Sequence, residues 1–141
     1  MSTKKAKEPR PKNKKKKAPS AKALLESGRV AYMAGEFNKA RDIWLPLAEA
    51  GNADAQAWIG SLHANGDGVD VDDAAAFAWY LKSAEGGNTQ AQSNIGAMYA
   101  MGNGVEKNAE EAVRWFERAA EAGDAHGQFN LAVLLSEGNG I

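Results

Sequence analysis

The residues with the most obvious capacity for chemistry are the acids of DGVDVDD, at 67–73. Closely spaced carboxylates are ligands that Ca²⁺ prefers, so this segment raises the question of a calcium site. A helix–loop–helix calcium loop needs acids at alternate positions before a glycine, and a glutamate at its twelfth position. The segment lacks that spacing, and we interpret Asp67, Asp70 and Asp73 as solvated loop acids without a metal.

Two histidines, His63 and His126, are the other candidate ligands or bases. Neither has a second histidine or a glutamate four residues further on, the spacing that would indicate zinc. The chain has no cysteine, which excludes thiolate sites and cysteine nucleophiles. It contains neither a G-x-S-x-G turn nor a G-x-x-x-x-G-K-[ST] phosphate loop. The sequence therefore predicts no catalytic residue, no metal and no cofactor, and a protein that is not an enzyme.

What the sequence does contain is a period of 36 residues. The glycine-rich segments NGDGV, MGNGV and EGNGI follow it, at 65–69, 101–105 and 137–141. The segments AEAGNADAQ, AEGGNTQAQ and AEAGDAHGQ follow it too, at 48–56, 84–92 and 120–128. A fixed period between 20 and 50 residues is the sequence signature of a solenoid.

Each period contains two segments with apolar residues three and four positions apart, which predicts a pair of α-helices. The first helix of one unit carries Ala55, Ile59 and Leu62, and the second carries Ala76, Trp79, Tyr80 and Ala84. A glycine recurs inside the first helices, at Gly60 and Gly96, although it costs about 1 kcal/mol relative to alanine. Its repetition predicts that a neighbouring helix comes too close there for a side chain.

Helix boundaries are marked by residues with specific backbone roles. Asp72 and Asn108 suit N-caps, and Glu111 is placed as the capping-box partner of Asn108. The apolar residues that follow the glycine loops are interpreted as plugs that tuck back onto the helices: Val69, Val105 and Ile141. Helix ends are predicted at the recurring glycines Gly51, Gly87 and Gly123.

Residues 20–50 form a variant unit with a shorter turn, AGEF, at 34–37. Ser20 suits an N-cap for its first helix, and Pro46 lies inside its second helix, where it should produce a kink. We predict about seven helices. The domain prediction is a disordered Lys-rich tail at 1–19 and a repeat domain at 20–141, with units at about 20–50, 51–86, 87–122 and 123–141.

The pattern AEAGNADAQAWIGSLHANGDGV, repeated as AEGGNTQAQSNIGAMYAMGNGV, resembles the Sel1-like repeat family, a relative of the tetratricopeptide repeats. The resemblance covers about residues 48–141, and His63 and Leu135 depart from the tyrosine usual in the family. It implies an all-α, right-handed α/α solenoid of antiparallel helix pairs. It also implies a protein–protein interaction adaptor or scaffold that binds a partner peptide or helix.

The first helix of each pair is expected to line the concave side of the solenoid, as in the related repeats. On the face of each first helix beside its apolar core-facing residues, positions four and three residues apart carry different residue types in different copies of the repeat. This variation suggests that their side chains do not pack in the core. The predicted partner-binding residues are Asp54, Trp58, Ser61, Gln90, Asn94, Ala97, Met101, His126, Asn130 and Val133.

Trp58 stands out because its counterparts are Asn94 and Asn130. One interpretation is a binding anchor, since tryptophan is enriched at interface hot spots. The other is that Trp58 covers the variant first unit near Pro46. The two asparagines either bond to a peptide backbone or are simply solvated, and the sequence leaves both pairs of alternatives open.

Charge is distributed unevenly. Residues 1–22 carry a net charge of +9 and residues 23–141 one of −10. The tail, Lys4–Lys22, is an alternative functional element: a nonspecific binder of nucleic acid or of an anionic membrane surface through phosphates. It has no aromatic residue for base stacking, and it is equally interpreted as a solubilising segment.

The first helix of the last unit, at 125–137, has apolar residues and no second helix to cover them. Either the array continues beyond Ile141, or the open end serves self-association or docking of a partner helix. No signal sequence or membrane span is recognised, so the expected location is cytoplasmic.

Overall fold

The computed structural model describes residues 18–137 and contains seven α-helices there, with no strand among those residues. Each helix has 13 residues. The predicted all-α solenoid is confirmed. Predictions for 1–17 and for Ile141 fall outside the described residues, and no described helix is long and apolar enough to cross a membrane. The helices are α1 Ala21–Met33, α2 Phe37–Glu49, α3 Ala53–Asn65, α4 Asp73–Glu85, α5 Thr89–Met101, α6 Ala109–Glu121 and α7 Ala125–Glu137.

The predicted N-caps are confirmed, because the Asp72 carboxylate accepts from the Ala75 backbone N–H at 3.0 Å and the Ser20 hydroxyl accepts from that of Ala23. The capping box at Asn108 is only half formed. Asn108 Oδ1 accepts from the Glu111 N–H, but the Glu111 carboxylate pairs with Arg114 instead. The Asn108 N–H donates to the carbonyl of Tyr99, which removes the need for the reciprocal bond.

The recurring glycines are placed where the backbone requires them. Gly51 and Gly87 have φ of 102° and 101°, a left-handed conformation that ends α2 and α4 at little steric cost. Gly66 and Gly102 have φ of 74° each and cap α3 and α5. The predicted helix ends at Gly51, Gly87 and Gly123 are confirmed, since Gly123 follows the end of α6 with φ of 91°.

Glycines inside the first helices lie against aromatic rings of the second helices. A Cβ on Gly60 would approach the Tyr80 ring to 2.9 Å, and one on Gly96 would approach the Phe116 ring to 2.6 Å. In the first unit Gly28 has the same relationship to the indole of Trp44. The predicted close approach of neighbouring helices is therefore confirmed, and it brings the two helices of each pair together.

A glutamine near the start of each later first helix joins one unit to the next. Gln56 Nε2 donates to the carbonyl of Ala48 at 3.0 Å, and Gln92 Nε2 donates to that of Ala84 at 3.1 Å. Both glutamines are buried. Each bond adds a second donor to a carbonyl group in the last turn of the preceding helix, since the Gly51 and Gly87 N–H groups donate to the same two carbonyls.

The interior is divided into three clusters along the chain. The first contains Trp44 with no exposed surface, the second contains Ile95, and the third contains Phe116. Val105 packs against the second cluster, as expected of a plug. Pro46 lies inside α2, as predicted.

The first unit differs from the others only in its connection. Residues 34–36 join α1 to α2, whereas residues 66–72 join α3 to α4. Because the helices have equal lengths, α1 corresponds to α3 at an offset of 32 residues rather than 36. This offset decides which residues of α1 share a surface with α3.

Candidate functional site

An open groove of about 900 Å³ crosses the first helices of the first three units. Its walls and floor come from α1, α3 and α5, with contributions from α4 and from the N-cap of α5. The lining residues are Lys22, Leu25, Glu26, Arg29, Asp54, Ala57, Trp58, Ser61, Tyr80, Asn88, Gln90 and Asn94.

The groove-lining residues of α1 and α3 occupy matching helical positions. The second residues, Lys22 and Asp54, correspond to each other, and Gln90 is the second residue of α5. Trp58 and Asn94 are likewise the sixth residues of α3 and α5. Residues three and four positions apart lie on one helical face, so a continuous surface results from parallel first helices.

Trp58 belongs to the groove and to the core. Its ring stacks on that of Trp44, with centroids 4.5 Å apart and planes 13° apart, and lies 5.6 Å from the Tyr32 ring. The expectation that the side chain at this position does not pack in the core is wrong. Trp58 covers the first unit, and its half-buried side chain also lines the groove.

Two other predicted residues are held by hydrogen bonds within the fold. The hydroxyl oxygens of Ser61 and Tyr80 are 2.8 Å apart, and Asp54 Oδ1 accepts from Asn88 Nδ2 at 2.9 Å. Burial raises the pKa of the Tyr80 phenol, so the ring stays neutral at physiological pH. These contacts hold the middle of the groove in shape.

The remaining polar groups of the groove differ in how they are engaged. Glu26 and Arg29 form a two-point ion pair, with distances of 3.0 and 2.6 Å, and the Arg29 hydrogen bond holds the pKa of the Glu26 carboxyl below its usual value. Among residues 18–137, no hydrogen bond engages the side chains of Lys22, Gln90 or Asn94. These three groups are available to a ligand.

Five predicted partner-binding residues lie outside this groove. Ala97 packs against the third core cluster, and Met101 is exposed at the end of α5. His126 is exposed on α7, and Asn130 and Val133 are half-buried there. The structure brings together the predicted residues of α3 and the first half of α5.

Sequence reasoning missed the α1 wall of the groove, formed by Lys22, Leu25, Glu26 and Arg29. The available signal was the equal length of α1 and α3, which aligns Lys22 with Asp54 once the shorter turn is allowed for. Tyr80 was assigned to the core, and its hydroxyl still reaches the groove through Ser61.

The acidic segment 67–73 is partly engaged in the fold. The Tyr32 hydroxyl donates to Asp67 Oδ2 at 2.6 Å, and Asp72 caps α4. The hydrogen bond to Asp67 raises the pKa of Tyr32, with burial as a second cause. Within the described part of the chain, no group of three or more acids and histidines has a metal-binding arrangement.

Comparison with known proteins identifies the repeats. The model of the Sel1 repeat matches residues 53–88, 89–124 and 125–141. The chain belongs to the Sel1 repeat family. Sel1 repeat proteins are generally protein-interaction scaffolds, and the family is known for non-catalytic protein-binding roles. A search of the curated proteins gives no match.

Two solved Sel1-type structures share both fold and sequence with this chain. A Sel1 repeat protein from Oxalobacter formigenes is 36% identical with a TM-score of 0.78, over 82% of this chain and 48% of that one. The protein c5321, a protective antigen of uropathogenic Escherichia coli with an SLR fold, is 40% identical with a TM-score of 0.80. That match covers 86% of this chain and 27% of c5321, so this chain spans under half of either relative.

A third structure shows likeness of fold alone. Helicobacter pylori cysteine rich protein B is 21% identical with a TM-score of 0.65, over 78% of this chain and 93% of that one. This helical fold therefore accommodates very different sequences, and the groove of this chain must be considered from its own residues.

Proposed function

We propose that this Sel1 repeat chain is a protein-interaction adaptor that holds an extended peptide of a partner in the groove across α1, α3 and α5. The observation that supports this most directly is the combination of a half-buried tryptophan with unengaged side-chain amides in one open groove. Trp58 supplies apolar area, and Gln90 and Asn94 supply hydrogen-bonding groups.

The chemistry of these groups suits a peptide backbone. A side-chain amide both donates and accepts, so Asn94 can match a peptide N–H and a peptide carbonyl together. Gln90 lies four residues earlier, on the same face of α5. Two amides on one face of α5 favour a ligand in an extended conformation, because the backbone N–H and carbonyl groups of an extended segment are not paired with each other.

Trp58 is the expected source of most binding free energy. Tryptophan is enriched among the few interface residues whose truncation costs about 2 kcal/mol or more. The stacking on Trp44 fixes the orientation of the Trp58 ring before a ligand arrives. A pre-positioned ring loses less side-chain entropy on binding.

The second function considered, binding of nucleic acid or membrane through Lys4–Lys22, has no support among the described residues. Lys22 itself is not part of a tail, since it lies in the first turn of α1 and lines the groove. Residues 1–17 lie outside the described range. Self-association through α7 likewise has no observation in its favour, although Phe129 is 68% exposed there.

The test is a peptide-display selection on the immobilised full chain, followed by affinity measurements on Asn94→Lys. That side chain is half-exposed and has no hydrogen bond to a described residue, so the substitution fills the groove without breaking a contact. The matched control is Asn103→Lys, at an exposed position after α5.

We expect the selected peptides to bind the wild type and Asn103→Lys equally, and Asn94→Lys at least about tenfold more weakly. Equal binding by all three proteins would place the site elsewhere and contradict the proposed function. A thermal melt of each variant verifies folding, and Gln90→Lys, at an exposed position, is the second groove variant.

A further inference from the structure

The α1 wall carries three charged side chains, Lys22, Glu26 and Arg29, of which two neutralise each other. Arg29 and Glu26 form the bidentate ion pair described above. On the facing side of the groove, the Asp54 carboxylate accepts from the Asn88 amide. No ion pair of the described residues includes Lys22 or Asp54, and the neutral Asn88 amide does not cancel the charge of Asp54. The groove therefore holds one unpaired ammonium, on α1, and one unpaired carboxylate, on α3.

The repeat explains why Lys22 is left without a partner. Between the second and third units, Asn88 donates to Asp54, the second residue of the preceding first helix. Between the first and second units, the corresponding residues are Asn52 and Lys22. An ammonium and an amide NH₂ are both donors, so this hydrogen bond cannot form there.

The Lys22 ammonium attracts an acidic ligand group only at short range. Residues 23–141 carry a net charge of −10, so this attraction for a carboxylate is limited to the immediate neighbourhood of Lys22. Apolar side chains lie beside Lys22: Leu25 in the α1 wall, and Ala57 and Trp58 on the floor formed by α3. The charge and the apolar floor therefore lie on adjacent helices of one groove.

We propose that the groove selects an extended peptide carrying one acidic side chain, which pairs with Lys22, and one aromatic or aliphatic side chain, which packs on Trp58. This inference rests on the proposed function and specifies its ligand. A run of acids does not fit, because the Asp54 carboxylate in the same groove repels further negative charge.

The separation of the two ligand side chains follows from helix packing. Lys22 is on α1 and Trp58 on α3, two helices that touch through the rings of Tyr32 and Trp58, whose centroids are 5.6 Å apart. Their separation is taken as about 10 Å, the upper end of the range for packed helices. An extended chain advances about 3.3 Å per residue. The acidic and apolar side chains are therefore about three residues apart in the peptide.

The experiment measures fluorescence anisotropy of labelled synthetic peptides on the full chain at physiological salt. The peptides are Glu-x-x-Phe, Gln-x-x-Phe, Lys-x-x-Phe and Glu-x-x-Ala in one neutral background. Each is titrated against the wild type and Lys22→Glu. Residues 1–17 are common to both proteins, so only the change in preference between the two reports on the groove.

We expect the wild type to prefer Glu-x-x-Phe over Lys-x-x-Phe by about threefold, and Lys22→Glu to reverse that order. Glu-x-x-Ala is expected to bind at least about tenfold more weakly than Glu-x-x-Phe. The same preference in both proteins, or no binding of Glu-x-x-Phe, would overturn this inference. If the synthetic peptides fail this test but the display-selected peptides still bind Asn94→Lys more weakly than the wild type, only the acidic preference is refuted and the proposed function stands.

Discussion

The indole of Trp58 lies nearly parallel to that of Trp44, with 4.5 Å between ring centroids. Trp44 has no exposed surface, and its Nε1 donates to the carbonyl of Leu25 at 3.2 Å. One stacked pair thus links the interior of the first unit, the backbone of α1 and the floor of the groove. The proposed binding at Trp58 and the folding of the first unit therefore depend on the same side chain.

This relationship predicts that Trp58→Ala lowers the free energy of unfolding by about 3 kcal/mol, because a stacked, half-buried ring is removed. The measurement is urea unfolding at pH 7. Met33→Ala is the control, since Met33 is 66% exposed and its loss should change stability by less than about 0.5 kcal/mol. An unchanged unfolding midpoint for Trp58→Ala would mean that the ring serves binding alone.

Gly96→Ala is expected to destabilise the protein by about 2 kcal/mol, although alanine is the better helix former. The added methyl carbon would lie 2.6 Å from the Phe116 ring, and a packed ring has little room to move. Ala132, the equivalent residue of α7, is exposed, and Ala132→Gly should cost only the helix-propensity difference of about 1 kcal/mol. The measurement is the thermal melting temperature of each variant. A higher Tm for Gly96→Ala than for the wild type would contradict the close approach of α5 and α6.

Two glutamines at equivalent positions of the repeat offer a matched pair within one chain. Gln92 is buried and donates to Ala84 at 3.1 Å, whereas Gln128 is exposed and its bond to Ala120 is 3.5 Å long. Gln92→Ala should cost about 1 kcal/mol, since it removes a buried hydrogen bond although the Ala84 carbonyl keeps the bond from the Gly87 N–H, and Gln128→Ala less than about 0.5 kcal/mol. Equal losses in denaturant titrations would show that burial does not set the strength of this link.

Stability should fall at alkaline pH, and Tyr32→Phe should reduce that fall. The raised pKa of Tyr32 means that the folded chain holds the phenol proton more tightly than the unfolded chain does. Its contribution is complete below about pH 10, the usual pKa of tyrosine, and is lost as the pH rises above that value. The measurement is the urea midpoint between pH 7 and pH 11.

At pH 7, Tyr32→Phe should lower stability by about 1 kcal/mol through loss of the bond to Asp67. The burial-raised pKa of Tyr80 leaves part of the alkaline loss in the variant. If wild type and variant lose stability in parallel above pH 10, then Tyr32 does not contribute to the effect.

The fold could be predicted from the sequence because each structural requirement repeats with the period. Gly96 and Gly60 mark the same close contact, and Asp72 and Asn108 cap helices at the same place. A residue type that recurs at one position of several units marks a structural requirement that those units share. Such a requirement can be recognised from the sequence without knowing which side chain packs against the position.

The groove could be predicted only in part, because its distinctive contacts join residues that no period relates. Trp44 and Trp58 belong to different units and stack only because α2 and α3 pack together. The Ser20 N-cap places Lys22 in the first turn of α1, but Lys22 also follows a run of lysines and was therefore counted with the charged tail and not with the groove. The Asn88–Asp54 bond likewise depends on two side chains that are specific to one interface.

The interior is partitioned into successive clusters, and this has a consequence for the order in which the chain opens. Among residues 18–137, the first cluster contains seven buried residues, among them Trp44, and the third contains three, Ala112, Phe116 and Leu134. In such an array each unit is held only by its neighbours, so fluctuations need not involve the whole molecule. Amide hydrogen exchange should therefore be fastest in α7 and slow progressively toward the tryptophan-rich end, which lets the groove stay formed while the far end opens and closes.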